Sequence, residues 1–429
     1  MIEILNISFL VFVMIWITSL PIISFFKNKK FLKFFSTIEK NTINLSFLLN
    51  FFLIISFFEV NFSLIFYILL FLPLINIFFV SKINLNTQHI VLFFIILILS
   101  TSISSALVLE WDAASVWIYR VKNFFYGNSF FNLPNIPGVV SYPHLGTYVW
   151  SFFWHNSFFD AEYTGRIFYI FSYSLSILII INFTKNDFLE KLILTLLLFT
   201  ISLDYYLLSG YQEYLVFSYL IFIFYFYEKY INYQNIIFLI PVGLFINVII
   251  WIKNEATFFV LFFFLFVCFQ HFINKLRARN ELIILFFIFI ISVSIKYYLF
   301  YSFFDVINSG WQGYRINNYS KFIQLNYFFD RSFPIILSII IALVKCKTYL
   351  VFFLVVILLY NKKNNNYIKP FLFFLIINII FIFLIYYFAN DPAWKHYMAT
   401  TVDRLLFQIS GIFLIPITFY LKDLIKFKN

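Results

Sequence analysis

The sequence predicts an all-α protein that crosses a membrane many times, and three observations carry that prediction. Hydrophobic residues make up 63% of the chain and charged residues only 11%, with a mean hydropathy of +0.93. Apolar runs of about 18 residues or more, the length that a spanning helix needs, recur from end to end. The basic residues fall in short loops between those runs. The net charge of +11 therefore sets topology and does not point to nucleic acid. Phenylalanine, isoleucine, asparagine and lysine are used heavily, as AT-rich coding would produce, so aromatic richness by itself carries no function. The two cysteines, Cys268 and Cys346, have neither metal-ligand spacing nor the makings of a disulfide framework.

The first run, near 4–26, is too long for a signal-peptide core and lacks a basic n-region, so it reads as a span. Glu59 and Asn61 break the run from Ser46 to Val80, which gives spans near 43–58 and 60–80. Further spans are expected near 89–109, 163–183, 189–208, 213–229, 234–251, 256–273, 282–300, 348–361, 370–388 and 404–421. The total is about thirteen, with eleven to thirteen compatible with the pattern. The stretch 333–347 reads either way: Pro334 can open an interfacial helix or a further span.

Lysines orient the chain. Lys27, Lys29, Lys30, Lys33 and Lys40 share one loop, and Lys82, Lys185, Lys191, Lys229, Lys275, Lys362, Lys369, Lys422 and Lys426 fall on the same side. The positive-inside rule makes that side cytoplasmic, with the N-terminus outside and the C-terminus inside. The long loops 110–162 and 301–332 then face outward. So do seven of the eight tryptophans and most carboxylates, among them Asp160, Asp305, Asp330 and Asp391. The cytoplasmic loops are short, and no phosphate-binding glycine motif is present.

Five outward pieces hold the chemistry. Glu110-Trp111-Asp112 opens a segment whose Trp111, Ala114, Ile118, Val121 and Phe125 recur at helical spacing. It reads as a helix lying on the membrane, ended by Gly127; its plainest role is an interfacial anchor, and its sharper one is to hold Asp112 as a base. Tyr142-Pro143-His144 lies in a loop kinked by Pro134, Pro137 and Gly138, where a lone histidine is often merely solvated. Gly210-Tyr211-Gln212-Glu213 brings a carboxylate to a span entrance, where such groups usually face the bundle interior. Trp251-Ile252-Lys253-Asn254-Glu255 puts two charges in a tight turn, as an internal ion pair or as substrate contacts. The last piece runs from Trp394 through His396 and Asp403 to Arg404, which can grip a phosphate with two parallel hydrogen bonds, snorkel, or pair with Asp403.

These pieces, in this order, resemble the GT-C superfamily of membrane glycosyltransferases, which includes protein mannosyltransferases and the aminoarabinose transferase of lipid A. Lys253-Asn254-Glu255 is similar to a Lys-Asn-Glu-Gly turn of bacterial members, with Ala256 in place of Gly. Gly210-Tyr211-Gln212-Glu213 is similar to their Gly-Tyr-Ala-Asp turn, and His396 through Thr401, Asp403, Arg404, Leu405 and Leu406 to a His…Ser-x-Asp-Arg-Leu-Leu pattern. The likeness runs over residues 89–421. The first loop departs from it by lacking the adjacent Asp-Glu pair of the mannosyltransferases, and no Trp-Trp-Asp signature of the oligosaccharyltransferases is present.

The resemblance implies extra N-terminal helices over 1–88, a catalytic membrane core over 89–300, an outer loop with interfacial helices over 301–347, and C-terminal helices over 348–429. It implies an enzyme of a bacterial plasma membrane that takes a polyprenyl-phosphate-linked sugar as donor. The acceptor would be a glycan, lipid or protein hydroxyl, and metal-independent transfer is favoured over dependence on a divalent cation. Asp112 would be the general base, with Glu110 in reserve. Lys253 and Arg404 would meet the phosphate, and Glu213, Glu255, Tyr142, His144 and His396 would contact substrate. Two rivals stand beside this reading. An O-antigen polymerase or ligase would rely on outer arginines, here Arg315, Arg331 and Arg404. A transporter or lipid flippase would line a path across the membrane. Convergence of acids and bases at one face separates the enzymes from the transporter.

Overall fold

In the computed structural model the described residues are 2–19, 35–80, 87–105, 108–136, 142–184, 188–207, 209–274, 280–304, 324–359, 365–389 and 394–425, and none of them forms a strand. The chain begins with α1 (Ile2–Thr18), α2 (Thr37–Ile55), α3 (Phe62–Val80) and α4 (Thr87–Ser105). A π-turn (Ala113–Trp117) leads into α5 (Ile118–Phe125), followed by α6 (Leu145–His155), α7 (Tyr163–Ile181) and α8 (Phe188–Ser202). Next come α9 (Glu213–Tyr233), α10 (Leu239–Ile250), α11 (Ala256–Ile273) and α12 (Asn280–Phe304). The last elements are α13 (Leu325–Lys345), α14 (Lys347–Leu359), α15 (Asn365–Tyr387), α16 (Trp394–Ser410) and α17 (Leu414–Ile425).

Every expected span contains a helix among the described residues, although 20–26 of the first lie outside them and 404–421 is divided between α16 and α17; thirteen full crossings are not established. Eight helices are long and apolar enough to cross a membrane by length and composition, among the described residues. Five further apolar helices, such as Phe62–Leu74 and Lys347–Leu359, are shorter. One of the eight is Asn326–Lys345, so 333–345 of the ambiguous stretch belongs to a single long helix that begins well before Pro334, while Cys346 caps it and Lys347 opens α14. Arg331 of α13 stacks on Trp394 and Lys345 pairs with Asp403, so the two ends of α13 both rest on α16. Most of the expected loop 301–332, including Asp305, Asn308, Trp311 and Arg315, lies outside the described residues. So do Pro137, Gly138, Asp391 and most of the lysine-rich loops.

Burial separates the centre of the bundle from its rim. The spanning windows of α7 and α9 are each 94% buried, against 17% for α12 and 22% for α13. A helix apolar on every side and enclosed by others is a core element, and one apolar yet exposed is a lipid-facing one. α9 runs down the middle, packed against α7, α10 and α16. It ends at Gln234, whose φ of 54° reverses the chain, and Asn235 starts the return by accepting the Ile237 N–H. That hairpin brings the end of α10 back beside the start of α9, which places Lys253 next to Glu213.

The opposite end of the bundle has its own polar lock. Ser36 and Glu39 form a capping box on α2, and Glu39 also takes Lys229 at 2.8 Å and the Tyr225 hydroxyl at 2.6 Å. Both ends of the central helix are therefore tied down by buried charge.

Candidate functional site

The site is assembled where the start of α9, the α10–α11 turn and the middle of α16 meet the segment after α4. Glu213 opens α9 and is fully buried. Its Oε1 accepts from Lys253 Nζ at 2.7 Å and from Arg404 Nε at 2.7 Å. Arg404 reaches across with Nη1 to Asp112, so one guanidinium joins two carboxylates 101 residues apart in sequence. Lys253 also lies 3.4 Å from Glu255, and Gln408, one turn after Arg404, donates to Glu255 at 3.2 Å. The Tyr211 ring sits 4.2 Å beneath the guanidinium and the Trp117 ring 6.0 Å from the Lys253 ammonium. Cations held over aromatic faces in this way gain where water is scarce.

Local structure explains how Asp112 reaches the cluster. Gly210 has a φ of 82°, and a Cβ there would come within 2.8 Å of Leu109 and 3.0 Å of Ala113. Only glycine lets the two turns close on each other. The Glu110 N–H then donates to the Ser209 carbonyl at 3.1 Å, which pins the start of the segment. Glu110 itself points out and is exposed, as is Trp111, while Asp112 is half-buried beside Arg404.

The helix after Asp112 differs in phase from the expected stripe. Its buried residues are Ala113, Trp117, Arg120, Val121, Asn123 and Phe124, whereas Trp111 is 75% exposed. The sequence pattern discounts Arg120 because a guanidinium is costly to bury. Here Arg120 donates to the Tyr142 and Pro143 carbonyls, and Asn123 to the Ser129 carbonyl, so the polar face can turn inward. Burial holds the Arg120 guanidinium down to about 10, opposed by Tyr142. The segment packs on α6, and Gly127, with φ 82°, ends it as expected.

Five of the residues singled out in the sequence come together: Asp112, Glu213, Lys253, Glu255 and Arg404. Four do not join them. Glu110 faces outward, and His396 is exposed two turns before Arg404. Tyr142 meets Trp117 edge-on at 5.2 Å, one residue removed from the cluster. His144 is fully buried in a box of Phe57, Phe124, Phe130 and Trp251, with Nε2 2.7 Å from the Ser56 hydroxyl. Burial, with Arg120 and Lys296 adding repulsion, pushes the His144 imidazole well below its ordinary range, so it stays neutral. It fastens the loop to the end of α2.

Sequence reasoning passed over three participants. Gln408 follows Arg404 by one turn, but amides give no charge signal. Trp117 lies off the expected helical stripe and is buried. Lys296 sits far along α12, 1% exposed, and donates to the Ile250 carbonyl at 2.8 Å and to Asn254 Oδ1 at 2.9 Å. It caps the C-terminal end of α10 and braces the Lys253–Glu255 turn. A lysine inside an otherwise apolar run was the signal that could have found it. For Glu255, burial works against ionisation, but Lys253, hydrogen bonding and Gln408 outweigh it and hold the carboxyl below its ordinary range.

Beside the cluster lies a cavity of about 230 Å³, walled by Ser202–Tyr205, Lys345–Thr348 and Phe407. Among the described residues no three His, Cys, Asp or Glu side chains gather as a metal site. Comparison of the chain with known protein families, curated proteins and solved structures finds no match.

Proposed function

We propose that the protein is a membrane glycosyltransferase that moves a sugar from a polyprenyl phosphate to an acceptor hydroxyl at the outer membrane face. The observation that carries the reading is convergence. Residues from four separate parts of the chain, the segment of Asp112 among them, meet in one charged cluster at one end of the bundle. A transporter would spread such groups along a path. Membrane glycosyltransferases of the GT-C type, which the motif order resembles, present acids and cations at one face.

In this mechanism Asp112 takes the proton of the acceptor hydroxyl. The acceptor oxygen forms its bond to the anomeric carbon from the face opposite the phosphate, and the bond from that carbon to the phosphate oxygen breaks with inversion. The electron pair leaves with the polyprenyl phosphate. Arg404 fixes the direction of the Asp112 carboxylate, and its guanidinium has five N–H donors, of which Glu213 and Asp112 engage two. The remaining donors are available to the phosphate as its charge grows. Lys253 serves first to hold Glu213 and Glu255.

Deletion of the gene, with complementation by Asp112→Asn and by Glu110→Gln, tests the proposal. Deletion should remove one sugar from the surface glycans and leave its lipid-linked donor unused. Glu110→Gln should restore the glycan. Asp112→Asn should cut transfer by about 10²–10⁴-fold at normal protein level. An intact glycan profile in the deletion strain, or full complementation by Asp112→Asn, removes the reading.

A further inference from the structure

The cavity beside the cluster has no part in the proposed reaction. It lies at the elbow where α13 ends at Lys345 and α14 begins at Lys347. Across from the elbow stands Asp204, just past the end of α8. Thr348 donates to the Ile201 carbonyl at 3.4 Å and Tyr349 to the Leu406 carbonyl at 2.6 Å, so α8, α14 and α16 fix the walls. The elbow sits where apolar surface meets the polar end of the bundle. Both ends of α13 are held at that end. Arg331 donates to the carbonyls of Tyr386 and Tyr387, which follow Phe381 on α15. Phe381 packs on Phe258 in the first turn of α11, next to Glu255. Lys345 pairs with Asp403, the neighbour of Arg404. α13 therefore runs along the cluster end, and its outer side is apolar: Phe333, Leu337, Ile340 and Val344 are all exposed. Leu350 and Leu354 continue that exposed side on α14. An apolar surface of this extent in a membrane protein faces lipid.

The cavity holds charges of both signs that leave each other alone. Asp204 and Lys347 share its wall, yet neither forms an ion pair among the described residues. The Tyr205 and Tyr206 N–H groups meet the Asp204 carboxylate, but Oδ1 is buried without a hydrogen bond. Lys345 has only its 3.5 Å contact with Asp403. Opposite charges that face one space without bridging it suit a ligand that carries both signs. A primary amine donates to Asp204 Oδ1, and a phosphate takes Lys347 and Lys345. A quaternary ammonium has no hydrogen to donate, and a glycerol headgroup brings no positive charge. The cavity, at about 230 Å³, is smaller than the roughly 300–1,000 Å³ that encloses a whole small molecule. It has room for a headgroup, with acyl chains outside along α13 and α14. We propose that the elbow cavity binds the phosphoethanolamine headgroup of a membrane lipid, its amine at Asp204 and its phosphate at Lys347 and Lys345. The site does not depend on the transferase reading, since none of these three residues belongs to the Asp112–Arg404 cluster.

The test is native mass spectrometry of the full chain in non-ionic detergent. The probes are phosphatidylethanolamine, phosphatidylcholine and phosphatidylglycerol of one acyl length. Phosphatidylethanolamine should give one saturable adduct, bound about tenfold tighter than the other two, the worth of a hydrogen bond to a charged group. Asp204→Asn should erase that preference. Lys347→Gln should weaken phosphatidylethanolamine and phosphatidylglycerol alike, by about threefold, because both offer it a phosphate. Lys347 is exposed, so this variant keeps its fold and stays readable even where Asp204→Asn fails to fold. Equal binding of the three lipids, a preference that survives in Asp204→Asn, or undiminished binding in Lys347→Gln would each overturn the site. Soluble phosphoethanolamine separates the two sources of the same headgroup. It should compete only at a concentration about a hundredfold higher or more, since it lacks the chains that lie along α13 and α14. Competition on equal terms would assign the cavity to a free zwitterion and overturn the lipid.

Discussion

Glu213 is the residue on which the cluster turns, and Glu213→Gln measures how far. One oxygen of this fully buried carboxylate takes both Lys253 and Arg404 at 2.7 Å. The amide keeps the shape and removes the charge. Two buried cations then lose their shared partner. Arg404 retains Asp112, which is 26% exposed, and Lys253 retains Glu255 at the longer distance of 3.4 Å. Breaking a buried pair on one side costs roughly 3–5 kcal/mol, because the remaining charge stays desolvated. The double variant Glu213→Gln, Arg404→Gln removes one charge of each sign and restores the balance. It should be less destabilised than the sum of the singles by 1 kcal/mol or more, within the range of coupled neighbours. Equilibrium unfolding in mixed micelles of neutral and denaturing detergent reads all four corners of the cycle. Strict additivity, or wild-type stability in Glu213→Gln, would show that the network contributes nothing and that its geometry is incidental.

Three other outcomes follow from the same geometry. His144 stays neutral in the fold while the unfolded chain titrates near its ordinary 6.5, so stability is unaffected above that pH and falls below it. The slope should approach about 1.4 kcal/mol per pH unit and disappear in His144→Asn, measured as unfolding midpoint between pH 7 and 5. Gly210→Ala adds a Cβ 2.8 Å from Leu109 at a φ of 82°, and should cost about 1–2 kcal/mol while lowering transfer through displaced Asp112; unchanged transfer counts against the closed-turn account. Lys345→Ala should leave stability within about 0.5 kcal/mol, since its pair with Asp403 is long and the lysine 67% exposed; a larger loss would give α13 a structural anchor not seen in its contacts.

The sequence was most informative where helices are apolar and long. Hydropathy located α7, α9, α11 and α12 to within a few residues, because a spanning run has one physical signature. It misjudged α13, where Arg331, Asp330 and Pro334 interrupt the apolar pattern, yet the chain stays helical through them. Arg331 is accommodated by donating to the Tyr386 and Tyr387 carbonyls and stacking on Trp394, partners far away in sequence. The same limit applies at the site. Glu213, Lys253 and Arg404 announced themselves as charges at span ends, but nothing local told that the charges would pair with one another. The phase of the segment after Asp112 was misread for a related reason, since burial of Arg120 depends on carbonyls 22 and 23 residues onward.

That pairing changes the physical role of the cations. A free arginine at a membrane face is an anion trap, open to any phosphate that diffuses past. Arg404 instead has Glu213 at its Nε and Asp112 at its Nη1, and Lys253 lies between Glu213 and Glu255. A phosphate binding here must either compete with carboxylates or use the donors they leave over, so the ground-state attraction for stray anions is weakened. The donors that remain are already oriented, because the carboxylates hold the guanidinium plane. Preorganised donors favour charge that develops during reaction over charge that is merely present. Pairing also makes the site conditional on the whole fold. The Asp112–Arg404 contact joins residues 292 positions apart, so Asp112 acquires its orientation only once α16 has packed against the segment after α4. A chain that inserts its early helices but not α16 would carry Asp112 without direction.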